Sequence, residues 1–486
     1  MAGAGLSNIH PEGVFGGVKM GLLTNSEIAL IHAASLDLLE AVGVKVDHPQ
    51  VYGRLVGAGA EATADGVTVL MPRGLVAKCV ESAPRNIRLA DRCGSLVEIG
   101  ADGGTVFWGG NAMYIARGRE RTEMTSADLV EVTRLNHALP HVHGVVGASI
   151  ADYSPIVRDF AGFRIMAENS TKHIRPCICS PDGPVAILEM AEVLSESIPL
   201  SERPLVSFGY SIVSPFHWSR TALELFLRTS GRGIPMMVNS EPLAGGTSPI
   251  TLAGLLAQAN AEALSGIVIL QVLEAGRPSV LNLGFAHMLD MRTALATSGA
   301  VQDGLIAAAG AEIARYHGLP SASWISSDNP ICDAQSALAK ALTAMLHARA
   351  GVNIIWGIGQ LETELTLSLE QAVIDDEMTA QLLRAQRGIE VSEETIALDV
   401  IREGAATGDF IGHDHTLAHY REERIAGELT APQRRSDWLA AGGLDLVERA
   451  AKKVAEILTR PHEPQVTPDQ SARLREIEQK WLERLA

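Results

Sequence analysis

Two kinds of apolar pattern alternate along most of this chain. From about Thr105 onward, short apolar runs bounded by glycine, proline and small polar residues alternate with longer apolar stretches of helical spacing. The short runs are Val106–Ile115, Val142–Ser149, His173–Cys179, Pro204–Val213, Pro235–Ser240, Ser279–Phe285, Ser321–Ile325 and Val352–Ile358. Eight strands spaced roughly 30–40 residues apart predict an α/β chain folded as a (β/α)8 TIM barrel. The first run is interrupted by Gly109 and Gly110. The competing doubly wound sheet needs a glycine-rich phosphate loop after its first strand, and Gly109-Gly110-Asn111 is too short for one.

The flanks read differently. Thr24 and Glu27 form a capping box ahead of a helix whose apolar face is Ile31, Leu36, Leu39 and Val42, with Gly43 as its stop. Short β-like pieces at Gly66–Met71, Ile87–Ala90 and Ser95–Ile99 surround a helix near Leu75–Ser82. Residues 1–104 are thus predicted as a small N-terminal α+β layer, beginning with a Gly-rich tail over residues 1–22. The barrel is assigned to 105–400 and a charged helical extension to 401–486. Amphipathic stretches at Leu444–Leu458 and Ser471–Leu485 would pack under the barrel, join a dimer or dock a partner protein.

Composition narrows the function. A chain of 486 residues, 47% of them hydrophobic, can bury one large core or a core with an appended domain. Its net charge of -17 argues against a nucleic-acid partner or an anionic membrane. The run Leu252–Leu273 is long enough to span a bilayer, but Gln258, Asn260, Glu262 and Gln271 interrupt it, so a buried core helix is predicted. The start of the chain lacks a basic segment followed by an apolar one, which argues against export. Five cysteines make no disulfide framework and suit a reducing cytoplasm. Cys177 and Cys179 would point to one face of a strand, without further ligands for a tetrahedral metal site. His141-x-His143 falls at a strand start, and His413-x-His415 reads as a polar loop, so no metal is expected. Schiff-base catalysis needs a lysine at a strand end, and none of the predicted ends carries one. A G-x-S-x-G elbow and a P-loop are also missing.

A barrel keeps its chemistry at the C-terminal ends of its strands. Those ends carry Trp108 and Asn111, Asp152 and Tyr153, Ser180 and Asp182, and Tyr210. They continue with Asn239 and Glu241, then Phe285 and His287, then Trp324 to Asp328, then Trp356, Gln360 and Glu362. The mixture is aromatic and acidic with few cations, in a chain only 4% aromatic. Aromatic faces attract cations, quaternary ammonium groups above all. Simple packing of aromatics around a barrel rim is the alternative.

Three blocks carry a family likeness: GGTSPITLAGLLAQANAEALSGIVILQ (Gly245–Gln271), GLIAAAGAEIARYHGLPS (Gly304–Ser321) and LETELTLSLEQAVIDDEM (Leu361–Met378). In these, and from Leu23 onward, the chain resembles the trimethylamine methyltransferase family of corrinoid-dependent amine methyltransferases. The resemblance implies a barrel that moves a methyl group from an amine to the cobalt of a separate corrinoid protein. Members acting on trimethylamine carry pyrrolysine in the loop that reads Ile325-Ser326-Ser327-Asp328 here, and Ser326 lies nearest its place. Where the family often has Pro-Glu, this chain has Val301-Gln302, which puts a role for that glutamate in question. The chain thus resembles non-pyrrolysine homologues such as glycine betaine methyltransferase.

That resemblance sets the expected roles. Ser326, Ser327, Asp328 and Gln302 would line the methyl-transfer face. Trp108, Tyr210, Trp324 and Trp356 would cage the ammonium, with Glu241 adding a favourable field. Asn111, Asn239 and His287 would hold the substrate's other end. The expected cofactor is cobalamin carried by a corrinoid partner protein, the substrate a small quaternary amine, and the enzyme a cytoplasmic homo-oligomer. Other methylated donors (trimethylamine, carnitine, proline betaine, a sulfonium compound) and a non-catalytic betaine-binding protein stay open.

Overall fold

The computed structural model describes residues 21–485 apart from 102 and 426, so nearly all of the N-terminal tail read from the sequence lies outside the described residues. Each of the eight apolar runs contains a barrel strand. In chain order they are β1 (Val106–Gly109), β2 (Gly144–Val146), β3 (His173–Arg175), β4 (Phe208–Ile212), β5 (Met236–Ser240), β6 (Ser279–Gly284), β7 (Ser321–Trp324) and β8 (Ile354–Ile358). They form one parallel sheet in the order β3-β2-β1-β8-β7-β6-β5-β4. The ends of that sheet meet: Ile174 N donates to Leu205 O at 3.1 Å and Ser207 N donates to Ile174 O at 3.2 Å.

All eight strands are shorter than their apolar runs, and for two of them the cause is local. The first run breaks at Gly109-Gly110, and Tyr114–Arg117 pairs instead with Glu120–Glu123 and Thr366–Ser368. β3 ends at Arg175 because Pro176 has no N–H to give a neighbouring strand. Cys177 and Cys179 therefore sit in the loop beyond β3, and the expected placement on one strand face is corrected.

Side chains alternate across the barrel wall, as the pleat demands. Phe107, Val145, Val238, Leu281 and Ile355 pack outward with the helices. Val106, Trp108, Val146, Met237, Val280, Trp324, Ile354 and Trp356 pack together on the inside. The hairpin Asn86–Ala90/Leu96–Gly100 adds Ile87, Leu89 and Ile99 to that inner cluster. It closes the N-terminal end of the barrel, where His173 Nδ1 lies 3.2 Å from Ala90 O and Asn353 Nδ2 donates to Gly100 O at 2.8 Å.

The helix Leu252–Leu273 is the one described helix long and apolar enough to cross a membrane, and most of it is buried inside the fold. Its Glu262, fully buried, accepts hydrogen bonds from Ser214 Oγ (2.7 Å), Ser240 Oγ (2.7 Å), Gln258 Nε2 (3.0 Å) and Phe216 N (3.2 Å). One carboxylate thus ties the loop after β4 to the end of β5. A second buried tie lies behind β8. Lys340 Nζ donates to Gly357 O (2.8 Å) and pairs with Asp375 (2.5 Å), whose carboxylate also accepts from Gly359 N and Gln371 Nε2. The C-terminal helices Leu446–Thr459 and Pro468–Leu485 lie on the barrel's outer helices, with Arg164 paired to Glu478 and Lys480 to Glu189.

Candidate active site

The C-terminal ends of β3, β4, β5, β6 and β8 enclose a cavity of about 230 Å³. Four larger cavities lie away from the strand ends that carry chemistry in this fold: two, of about 600 and 650 Å³, where the C-terminal helices meet the barrel, one of about 360 Å³ around residues 197–201, and one of about 250 Å³ beside the N-terminal hairpin. The strand-end cavity is smaller than the usual pocket for a drug-sized ligand, a size that suits a small molecule.

Arg175, the last residue of β3, projects into this cavity from the inside of the barrel. Its guanidinium lies over the Trp356 ring, 4.1 Å from the centroid. Nη2 makes only a long contact to Gly209 O (3.4 Å), and Nε is buried without a partner. Burial lowers its pKa to about 10, so it stays cationic at neutral pH. Five donors in a rigid fork, mostly unclaimed, suit a planar anion such as a carboxylate.

Two carboxyl groups line the same cavity. Glu241, just past β5, accepts from Ser211 Oγ at 2.5 Å, and burial raises its pKa. Glu364 lies in the loop after β8, where Glu362, Thr363 and Glu364 all have positive φ (49°, 59° and 92°). Three successive non-glycine residues in that region store backbone strain, which persists when the surroundings over-determine the loop. Burial and then the charge of Glu241 push the Glu364 carboxyl up to about 8, against the pull of Arg175. Asn111, Tyr210, Asn239 and Phe285 complete the polar and aromatic walls, with Cys177 beside Arg175.

Glu364 gives the site a pH signature. Its carboxyl is neutral below about 8, facing Glu241, Arg175 and the Cys177 thiol. A cation in the cavity favours the ionised form, so affinity for an onium ion should rise, by up to about tenfold, as pH climbs through that value. Stability runs the other way. The folded pKa lies above the ordinary 4.5, so the folded state holds the extra proton, and this stabilising term is lost as pH rises towards about 8. Calorimetric titrations with tetramethylammonium across this range should show the rise, and Glu364→Gln should flatten it.

The aromatic residues form a connected layer under the cavity. Trp108 is 6.1 Å from Trp356, and Phe285 lies 4.9 Å from Trp356 and 5.0 Å from Trp324, centroid to centroid. Trp108 also stacks on His173 at 5.3 Å. Of the four residues expected to cage the ammonium, Tyr210 and Trp356 line the cavity. Trp108 and Trp324 are buried in the layer beneath it, where Trp324 packs against Phe285 and His287.

Residues 8–483 match the family model described as "Trimethylamine methyltransferase (MTTB)". The chain belongs to the trimethylamine methyltransferase family. It is 32% identical to the trimethylamine methyltransferase MttB of Desulfitobacterium hafniense (strain DSM 10664 / DCB-2), over 98% of this chain and 96% of that one. It is 26% identical to the glycine betaine methyltransferase of Desulfitobacterium hafniense (strain Y51), over 94% and 96%. Among solved structures, the Methanosarcina barkeri monomethylamine methyltransferase (MtmB) shares the fold with a TM-score of 0.53 at 12% identity, over 90% of this chain and 89% of that one. The chain is therefore an enzyme of the methyltransferase class, in a family that works with corrinoid proteins.

None of the residues carried over from the trimethylamine methyltransferase family lines the cavity: Ser326, Ser327 and Asp328 lie in the loop after β7, and Gln302 lies on the helix that leads to that strand. Ser326 is buried and its hydroxyl has no hydrogen-bond partner. Ser327 Oγ accepts from Asn329 N at 3.1 Å. Asp328, exposed, accepts from Ser298 N (2.7 Å), Ser298 Oγ (3.1 Å) and Thr363 Oγ1 (3.1 Å), joining the rim loops after β6, β7 and β8. Gln302 is exposed in the first turn of the helix Val301–Tyr316 and does not line the cavity.

The three residues expected at the substrate's far end are held in different ways. Asn111 lines the cavity, with its carbonyl and side-chain oxygens taken by Gln360 Nε2 at 2.7 and 3.0 Å. Asn239 also lines it, accepting from Asn282 Nδ2 at 3.0 Å. His287 lies outside the lining, with Nδ1 at 2.9 Å from Thr297 O. Burial lowers its pKa to about 4, so it is neutral. Arg175 and Glu364 were missed. The sequence HIRP reads as strand and nothing more, and Glu364 reaches the cavity only through a loop of unusual backbone. Among the described residues no three His, Cys, Asp or Glu side chains are placed to hold a metal.

Proposed function

We propose that this enzyme takes a methyl group from a small zwitterionic quaternary amine, glycine betaine or a close analogue, and delivers it to a corrinoid carried by a partner protein. The observation that carries the reading is one cavity of about 230 Å³ holding both a buried guanidinium and two carboxyl groups. Arg175 would take the donor's carboxylate, while Glu241 and Glu364, with the faces of Tyr210 and Phe285, would surround the ammonium.

The leaving group supports a quaternary donor. A methyl on quaternary nitrogen departs from a neutral tertiary amine, whereas neutral trimethylamine would have to expel an anion unless its nitrogen were first protonated or captured. Ser326 offers a hydroxyl, which is no electrophile for capturing an amine. The donor must therefore arrive already charged.

When docked, a reduced corrinoid supplies the nucleophile for the methyl carbon. A cavity of about 230 Å³ is too small for a corrin ring, so the residues fit a cofactor presented at the mouth from outside. Of the three residues in the loop after β7, Ser326 and Ser327 are buried, so Asp328 is the one that would face a docked partner. The chain's own contribution is to bind, orient and dry the donor, terms worth about 7–11 kcal/mol when reacting atoms are aligned.

A calorimetric panel of glycine betaine, carnitine, proline betaine, trimethylamine and tetramethylammonium tests the reading. Betaines with a carboxylate close to the ammonium should bind best. Preference for trimethylamine would overturn it. Adding a reduced corrinoid protein should then give a donor-dependent change in its absorption spectrum, and a protein that only binds betaine would leave the spectrum unchanged.

A further inference from the structure

Beside the donor cavity lies a pair of thiols that methyl transfer leaves unused. Beyond Pro176 the chain turns so that Cys177 Sγ and Cys179 Sγ lie 4.0 Å apart. Cys177 is half-buried on the cavity wall, and Cys179 is exposed to solvent. Among the described residues no other two thiols are in contact.

The backbone on both sides of the pair is fixed. On the strand side, Gly147 N donates to Arg175 O at 2.9 Å. On the other, the buried Asp159 carboxylate accepts from Cys179 N (3.3 Å), Ser180 N (3.0 Å) and Ser180 Oγ (2.9 Å). The two thiols are therefore held as neighbours. A disulfide needs its sulfurs at about 2.05 Å, so closing the gap takes about 2 Å of movement shared between two rotatable side chains. A hydrogen bond from Cys179 and the nearby Arg175 guanidinium lower the Cys177 pKa, while Cys179 is raised. Cys177 is thus the thiol that ionises first, and only the thiolate is the nucleophile.

We propose that Cys177 and Cys179 form a reversible oxidative-modification site, a dithiol that a small peroxide converts to a disulfide on the wall of the donor cavity. The Cys177 thiolate attacks one oxygen of hydrogen peroxide, breaking the O–O bond. This leaves a sulfenic acid, and the departing hydroxide takes a proton to become water. The Cys179 sulfur then attacks the Cys177 sulfur, its S–H proton leaving with the displaced hydroxyl as a second water. Two thiols are oxidised, one peroxide is reduced to two waters, and a dithiol reductant reverses the change. Bridging pulls the Cys177 sulfur towards the rim and removes an ionisable thiol from beside Arg175. The proposal is independent of which amine is the donor.

The full-length protein, treated with hydrogen peroxide and then alkylated, should give a peptide spanning Cys177 and Cys179 that is two hydrogens lighter and unalkylated. Dithiothreitol should restore both alkylation sites. In Cys179→Ser, Cys177 should be trapped by dimedone as the sulfenic acid and pass on to sulfinic acid at least tenfold faster than in the wild type. Should the variant not fold, the wild-type map alone decides. Full alkylation of both thiols under conditions that oxidise the exposed Cys93 would overturn the proposal. So would sulfinic acid accumulating on wild-type Cys177 in place of the disulfide.

Discussion

Arg175→Met is expected to raise the dissociation constant of a carboxylate-bearing quaternary amine by about 10- to 100-fold and to leave tetramethylammonium within about twofold. A hydrogen bond to a charged group contributes about 1.5–3 kcal/mol, and the guanidinium fork has donors to spare. Methionine keeps much of the stem's volume against Trp356 and removes the charge. Arg175→Lys should fall between, because an ammonium keeps the charge and loses the fork. Removing the cation also leaves Glu241 and Glu364 without their neighbour and favours their neutral forms. The comparison therefore belongs at a fixed pH near 7. Equal losses for the two ligands would make Arg175 a structural residue and remove it from the donor's carboxylate end.

Lys340→Met should cost about 3–5 kcal/mol of stability, read as a lower urea midpoint, because it strands a buried carboxylate without its cation. Lys340 and Asp375 are both essentially inaccessible and 2.5 Å apart. Through Gly357 O and Gly359 N they hold the last residues of β8 and the turn that follows. The strand end is crowded: Gly357 has φ of 101°, and a Cβ there would lie 1.9 Å from Ile325 O. Lys340→Met with Asp375→Leu should recover most of the loss, since a packed apolar pair often matches a buried ion pair. If the double variant is no better than the single one, the pair's hydrogen bonds to the turn matter more than the balance of charge.

The barrel was legible because each strand announces itself locally. A parallel strand buried on both faces needs an unbroken apolar run, and the neighbouring turns need glycine, proline or small polar residues. The helix Val301–Tyr316 ahead of β7 is capped by His317 and stops at Gly318, whose φ of 71° a glycine adopts without a Cβ penalty. The site was harder to read. Proximity to a strand's end says nothing about depth or face, so Trp108 and Trp324 looked like mouth residues although they fill the layer below. Arg175 was hidden because a charged residue closing a three-residue strand resembles a surface position until the barrel closes around it. Glu364 depends on three consecutive positive-φ residues, which no composition announces.

The hairpin Asn86–Gly100, together with the Trp108–His173 stack, stoppers one end of the barrel. On the proposed reading, amine, spent amine and partner protein would then share the opening at the other end. Turnover becomes a queue: the amine enters before the partner covers the opening and departs only after the partner has lifted away. A partner that clings too long would slow the enzyme as surely as a missing donor, because the exit is the entrance.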